Sequence, residues 1–349
     1  MRSYQLTAFG EGLQAVDGSA PEPQGRQVLL RTLACGVCHS DVHLAEGFFD
    51  LGGGQRIELG RSLRLPRTLG HEIAGEVVAV GPEVSEVRPG DRRVVFPWIG
   101  CGTCAECRAG REQLCAAARA LGVNRDGGFA DRVLVDDPRY LFDFAPLGAE
   151  EACTLACSGL TAYGALRKAP PLGDGAALVI GAGGVGLSAV RLAPSVLGRA
   201  VVVADPSEGA RAAALAAGAA AAIDPRAPGA ARELMKTTGG IAAAFDFVGS
   251  GESFELGFSV IGKGGTLVVV GLIGGAATFS PALLPMKSVT VCGSYVGSLA
   301  QMEELVALAR SGTLPAMPIT ARPLDEVDAA LDDLRGGRVR GRLVVAPSV

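Results

Sequence analysis

The chain has 349 residues, 48% of them hydrophobic and 19% charged, with a net charge of −4. That length exceeds what one core usually supports, so two domains are expected, and the acidic balance presents no basic face to nucleic acid or anionic lipid. No apolar run reaches membrane-spanning length unbroken, and the polar start Met1-Arg2-Ser3-Tyr4-Gln5 carries no secretory signal, so the cytoplasm is the expected compartment.

Residues 1–148 alternate short Val/Leu-rich runs with glycine and proline. Gln27–Thr32, Ile73–Val80 and Arg92–Phe96 are predicted strands, with turns at Gly81-Pro82 and Pro89-Gly90-Asp91. This half is expected to be mainly β and barrel-like, with its sites on loops. Its chemistry is concentrated in Cys35-Gly36-Val37-Cys38-His39-Ser40-Asp41-Val42-His43 and in Gly70-His71-Glu72, which together hold all three histidines of the chain. Thiol and imidazole are the ligands that bind Zn²⁺ tetrahedrally, so these two pieces are expected to build a catalytic metal site. Residues 47–65, between them, form a long loop of the kind that rims a substrate cleft.

With cytoplasmic thiols, nine cysteines argue for metal binding or chemistry over disulfides. Cys101, Cys104, Cys107 and Cys115 follow the spacing C-x2-C-x2-C-x7-C. Two-residue gaps let a turning backbone aim successive thiolates at one ion, and the fourth closes the tetrahedron. An iron–sulfur run would end in C-x3-C-P, whereas the last gap here is longer and Ala116 follows. A structural zinc lobe over about 96–116 is the reading.

Over 149–296 the texture changes to apolar runs bounded by glycine and separated by segments of helical length, the pattern of a doubly wound parallel sheet with crossover helices, a Rossmann domain. Leu178-Val179-Ile180 runs into Gly181-Ala182-Gly183-Gly184-Val185-Gly186, a G-x-G-x-x-G turn opening a helix. Its glycines permit the tight turn, the approach to a pyrophosphate and the close helix–strand packing, and the helix N-terminus offers free N–H groups to the phosphates. Asp205 closes the next strand, placed to accept hydrogen bonds from an adenosine ribose. Its charge would repel a 2′-phosphate, and Pro206-Ser207 supplies no arginine, so NAD is preferred over NADP. Pro194 is expected to kink or end the first helix early, and Ala210–Ala222 reads as helix. Helices Gln301–Arg310 and Leu324–Arg335 and a strand Arg342–Val345 make up 297–349, expected to return to the first domain.

Cys38-His39-Ser40-Asp41, Gly70-His71-Glu72, the four-cysteine lobe, Cys157-Ser158-Gly159-Leu160-Thr161-Ala162-Tyr163, the glycine turn and Gly293-Ser294-Tyr295-Val296-Gly297 stand in one order along the chain. In this they resemble the zinc-dependent medium-chain alcohol dehydrogenases over nearly the whole length. The resemblance implies a GroES-like catalytic domain and one catalytic and one structural Zn²⁺ per chain. It implies that Cys38, His71 and Cys157 ligate the catalytic ion, the motif after Cys157 favouring it over Cys153. Glu72 would sit behind the metal and Asp41 would hold the His71 tautomer. Ser40 would take the substrate proton and His43 would pass it to solvent. His39 and Arg342 would face the cofactor pyrophosphate. Phe48, Phe49 and Trp98 are the candidates for an apolar substrate lining, with Tyr295 nearer the nicotinamide.

The expected activity is reversible hydride transfer between a hydrophobic primary or secondary alcohol and NAD. The alternatives are a polyol or amino-alcohol dehydrogenase of the same fold, or a non-catalytic cofactor-binding relative, which should lose zinc ligands. The expected partner is a small molecule, and the 288–293 strand can extend a sheet across a two-fold axis in a homodimer or homotetramer.

Overall fold

A computed structural model describes residues 1–347; Ser348 and Val349, the end of the 297–349 segment, lie outside the described residues. The spine of the first half is the strand Val28–Val37, which continues past the expected end at Thr32 through Cys35-Gly36-Val37. Its apolar run lets it pack on both faces. It pairs antiparallel with Glu72–Val80, Arg132–Val135 and Arg342–Ala346. The strand 342–346 in turn pairs in parallel with Ile319–Pro323. The strand Arg342–Ala346 therefore lies beside residues 35–37, next to Cys38 in the chain. A three-stranded sheet of Gln14–Asp17, Arg2–Leu6 and Arg67–Thr68 completes this part.

The second sheet is wholly parallel among its six strands. In order they are Ala221–Ile223, Val202–Ala204, Ala176–Ile180, Ile241–Asp246, Ile261–Val269 and Thr290–Gly293. Numbered in chain order this is 3-2-1-4-5-6, and the order reverses beside Ala176–Ile180. Ligands bind such sheets outside the carboxyl ends of the strands at that reversal, and the glycine turn follows Ile180.

Two local expectations are corrected. The helix Gly184–Leu197 runs through Pro194 and ends at left-handed Gly198. The ring removes one N–H from the hydrogen-bond ladder, and the helix continues for one short stretch, to Leu197, beyond it. The alanine run is helical only over Glu208–Ala216; Gly218, at φ 103°, turns the chain into the short strand Ala221–Ile223.

The 47–65 segment is not structureless. Phe48–Gly52 and Gln55–Glu58 form an antiparallel hairpin, followed by a helical turn over Leu59–Arg61. Its glycine tip reaches the nucleotide-binding half. A Cβ on Gly52 would lie 2.3 Å from the carbonyl carbon of Gly275, and one on Gly274 would lie 2.3 Å from the Asp50 carbonyl oxygen. Only glycine permits backbone to meet backbone at that distance.

Candidate active site and metal centres

Cys38 lies at the start of the helix His39–Glu46, where the Asp41 carboxylate accepts the Cys38 N–H at 3.0 Å. The same carboxylate accepts the Gly70 N–H at 3.2 Å and faces Nδ1 of His71 at 3.2 Å. One buried acid therefore aligns both ligand-bearing segments. Cys157 arrives from a helical stretch that widens into a π-turn over Leu155–Gly159, a distortion common at functional sites. All three side chains are buried, and their ligand atoms lie within 4.8 Å of one another. His71 Nε2 is buried without a hydrogen-bond partner, an arrangement that would cost free energy unless an ion takes its lone pair. The Cys38 thiol is held well below the ordinary cysteine range, chiefly by the hydrogen bond from the Cys157 thiol and then by the His71 imidazole. The donor set fits Zn²⁺ with an open fourth position.

Behind this triad Glu72 is wholly buried. Its Oε1 accepts the Ser158 N–H at 3.1 Å, and its Oε2 accepts from Arg342 Nη2 at 2.5 Å. Burial pushes its carboxyl up to about 7, with the Arg342 charge opposing that rise. Gly36 makes room for it, since a Cβ there would lie 1.9 Å from Oε2. Arg342 also donates to the Val37 carbonyl at 3.1 Å. Its guanidinium is thus committed to the catalytic half, while its Cδ and Nη1 lie directly beneath Gly184 of the glycine turn.

A cleft of about 720 Å³ is lined by Cys38 and Cys157 of the triad, by the glycine turn and by Asp205. His39, Ser40 and His43 line it from one helix. His43 packs against Phe49 with ring centroids 5.1 Å apart, and its Nδ1 lies 3.9 Å from a Glu46 oxygen. Burial lowers its pKa below the usual imidazole value. Gly181, Gly183, Gly184, Val185 and Gly186 also line it. A Cβ on Gly186 would lie 1.8 Å from the Gly181 carbonyl oxygen, so the helix can approach the strand only without a side chain there. The Asp205 carboxylate is steadied by the N–H groups of Ala182 and Ser207, each at 2.8 Å.

Trp98 forms a buried wall of the cleft, its Nε1 donating to the Ala156 carbonyl at 3.0 Å, and its ring meets His71 at 5.4 Å and Tyr295 at 5.8 Å. Tyr295 stands at the rim, 53% exposed. Phe49 lines the cleft, but Phe48 does not: successive side chains of a strand point to opposite faces, and Phe48 lies under the Arg56 guanidinium at 4.0 Å. Leu59, Leu63 and Asn124 also line the cleft and escaped the sequence reading, because neither segment carries a periodic pattern.

In the lobe, Cys104 and Cys107 sulfurs are 3.5 Å apart, Cys104 and Cys115 3.8 Å, and Cys101 and Cys107 4.0 Å. A tetrahedron of thiolates at Zn–S distances near 2.3 Å has edges of about 3.8 Å. Glu112, also unforeseen, ties the lobe to the barrel, accepting from the Gly100 N–H at 2.9 Å and the Tyr140 hydroxyl at 2.8 Å.

Residues 24–144 match the alcohol dehydrogenase GroES-like domain and residues 184–311 the zinc-binding dehydrogenase domain. An NAD-dependent alcohol dehydrogenase of Sulfurisphaera tokodaii is 38% identical over 99% of this chain and 100% of its own length. The chain belongs to the zinc-binding alcohol dehydrogenase family. An NAD-dependent alcohol dehydrogenase of Saccharolobus solfataricus is 37% identical over the same share of each chain. The crystal structure of the alcohol dehydrogenase of the archaeon Aeropyrum pernix superposes with a TM-score of 0.87 at 31% identity, covering 99% of this chain and all of that one. Family membership accounts for the sheet of order 3-2-1-4-5-6 beside a barrel carrying two clusters of metal-binding side chains. Among the described residues no helix is long and apolar enough to cross a membrane.

Proposed function

We propose that the chain is an NAD-dependent zinc alcohol dehydrogenase that reversibly oxidises a hydrophobic primary or secondary alcohol to an aldehyde or ketone. The observation that carries this is the convergence of Cys38, His71 and Cys157, with both cysteines lining the same cleft as the glycine turn. When bound there, Zn²⁺ supplies Lewis acidity to the alcohol or carbonyl oxygen, and the nicotinamide exchanges hydride with the substrate carbon. The chain's own groups orient and move protons. Asp41 keeps His71 in the tautomer that turns Nε2 to the metal, and Ser40 with His43 conducts the hydroxyl proton toward solvent along the cleft wall. Trp98 and Phe49 exclude water from the reacting carbon. Asp205 accepts from the adenosine ribose and favours NAD. His39 faces the pyrophosphate, and Arg342 approaches it from under Gly184 while remaining paired with Glu72.

The protein works in the cytoplasm, with none of its cysteines in a disulfide and six of them placed to hold zinc. The edge strand Thr290–Gly293 supports assembly as a homodimer or homotetramer, which light scattering on the purified protein counts. Metal analysis and a panel of simple, benzylic and polyhydroxy alcohols with NAD test the activity. Zinc at both clusters and preference for apolar alcohols are the expected results; fastest turnover of a polyol, or full turnover without zinc, overturns the reading.

A further inference from the structure

Residues from both halves of the chain line the cleft around Asp205. Asp205, Ser207 and Ala210 line one side, and Gly337, Val339, Arg340, Gly341 and Arg342 the other. Arg340 is exposed, and its guanidinium passes over Gly209 in the first turn of the helix Glu208–Ala216. A Cβ on Gly209 would lie 3.0 Å from Arg340 Nε and 3.4 Å from Nη2, so the absent side chain leaves the cation its place. Two other arginines stand nearby and are already engaged. Arg211 donates to the carbonyls of Asp205 and Pro206 and faces Asp224 at 3.6 Å. Arg226 donates to the Pro206 carbonyl and pairs with Asp224 at 3.4 Å. Arg340 has no such partner among the described residues.

We propose that Arg340 is a cofactor-specificity residue that lets the protein accept a 2′-phosphorylated nicotinamide cofactor as a second, weaker partner beside NAD. The inference rests on the reading of this cleft as the NAD site. Asp205 by itself would exclude a phosphate on the ribose, and nothing in Pro206-Ser207 offsets its charge. The offset comes from Arg340, supplied by the other half of the chain. Both Asp205 oxygens are held by backbone N–H groups, so the carboxylate is steadied where it is and part of its field is already compensated. A guanidinium on the cleft wall beside Gly209 would present a planar fork that matches two phosphate oxygens, which an ammonium does not. Because Arg340 is solvated, its effect is modest and screened by salt.

Binding of adenosine 2′,5′-bisphosphate and of 5′-AMP to the zinc-loaded protein, followed by calorimetry, separates this role from turnover. In Arg340→Gln the bisphosphate should weaken roughly tenfold more than 5′-AMP, with Arg340→Lys between the two. The excess should shrink at about 0.5 M salt, where the screening length falls to a few ångströms. NADP-linked kcat/KM should fall relative to NAD-linked kcat/KM by a similar factor. Equal weakening of both ligands in Arg340→Gln, or failure of the parent to bind the bisphosphate at millimolar concentration, overturns the proposal. If 5′-AMP itself fails to bind, the reading of the cleft falls, and this inference with it.

Discussion

Arg342 and Glu72 meet in a buried hydrogen bond of 2.5 Å, although one is in the last strand and the other opens the strand that follows His71. The pair links the floor of the metal site to the underside of the glycine turn, because the same arginine packs beneath Gly184.

Removing one member of such a pair leaves the other charged and unsolvated. Arg342→Leu should therefore cost about 3–5 kcal/mol of stability, and the double variant with Glu72→Leu should recover a large part of it. Denaturant titrations of the single and double variants check this; an additive loss would mean that the two charges are not coupled.

Cys38→Ser should reduce bound zinc from two per chain to one and lower alcohol turnover by on the order of 10³-fold, given the several kcal/mol a Lewis-acidic ion supplies. NADH binding should persist, because the glycine turn and Asp205 belong to the other sheet. Elemental analysis beside a fluorescence titration of NADH reads both outcomes.

Burial holds the His43 pKa below the usual imidazole value, so the ring is a neutral proton acceptor throughout the neutral range. As pH falls through that lowered pKa the acceptor is lost. Alcohol oxidation should accordingly lose kcat/KM only at pH below the ordinary imidazole range and stay level with respect to this group above it. His43→Gln should remove that limb of the profile and slow oxidation by on the order of 10²-fold at pH 7. An unchanged pH profile in the variant would assign the limb to another group.

Glu112 joins the four-cysteine lobe to the barrel through Gly100 and Tyr140. Glu112→Ala leaves two buried donors unpaired, at a cost of about 1–3 kcal/mol for each. The lobe should then give up its zinc to a chromogenic chelator faster than the parent does, while the zinc at Cys38, His71 and Cys157 is released at the parental rate.

Much of this molecule is legible along the chain because the relevant physics is local. The cysteine spacing from 101 to 115 and the glycines from 181 to 186 restrict the backbone within a few residues, and alternating or continuous apolar runs mark strands by their period. The same local logic fails where neighbours in space are distant in sequence. Cys157 is implied as the third ligand only by its motif's resemblance to the family's, not by local spacing, and Phe48 turns from the cleft because the 47–65 segment pairs with itself as a hairpin. Arg340, on the cleft wall, reaches Gly209, and Arg342 reaches Glu72, because the last strand lies beside residues 35–37. Residue types and short spacings therefore determined which chemistry the chain can carry. Sheet order, set by burying both faces of the strand Val28–Val37, decided which side chains carry it together.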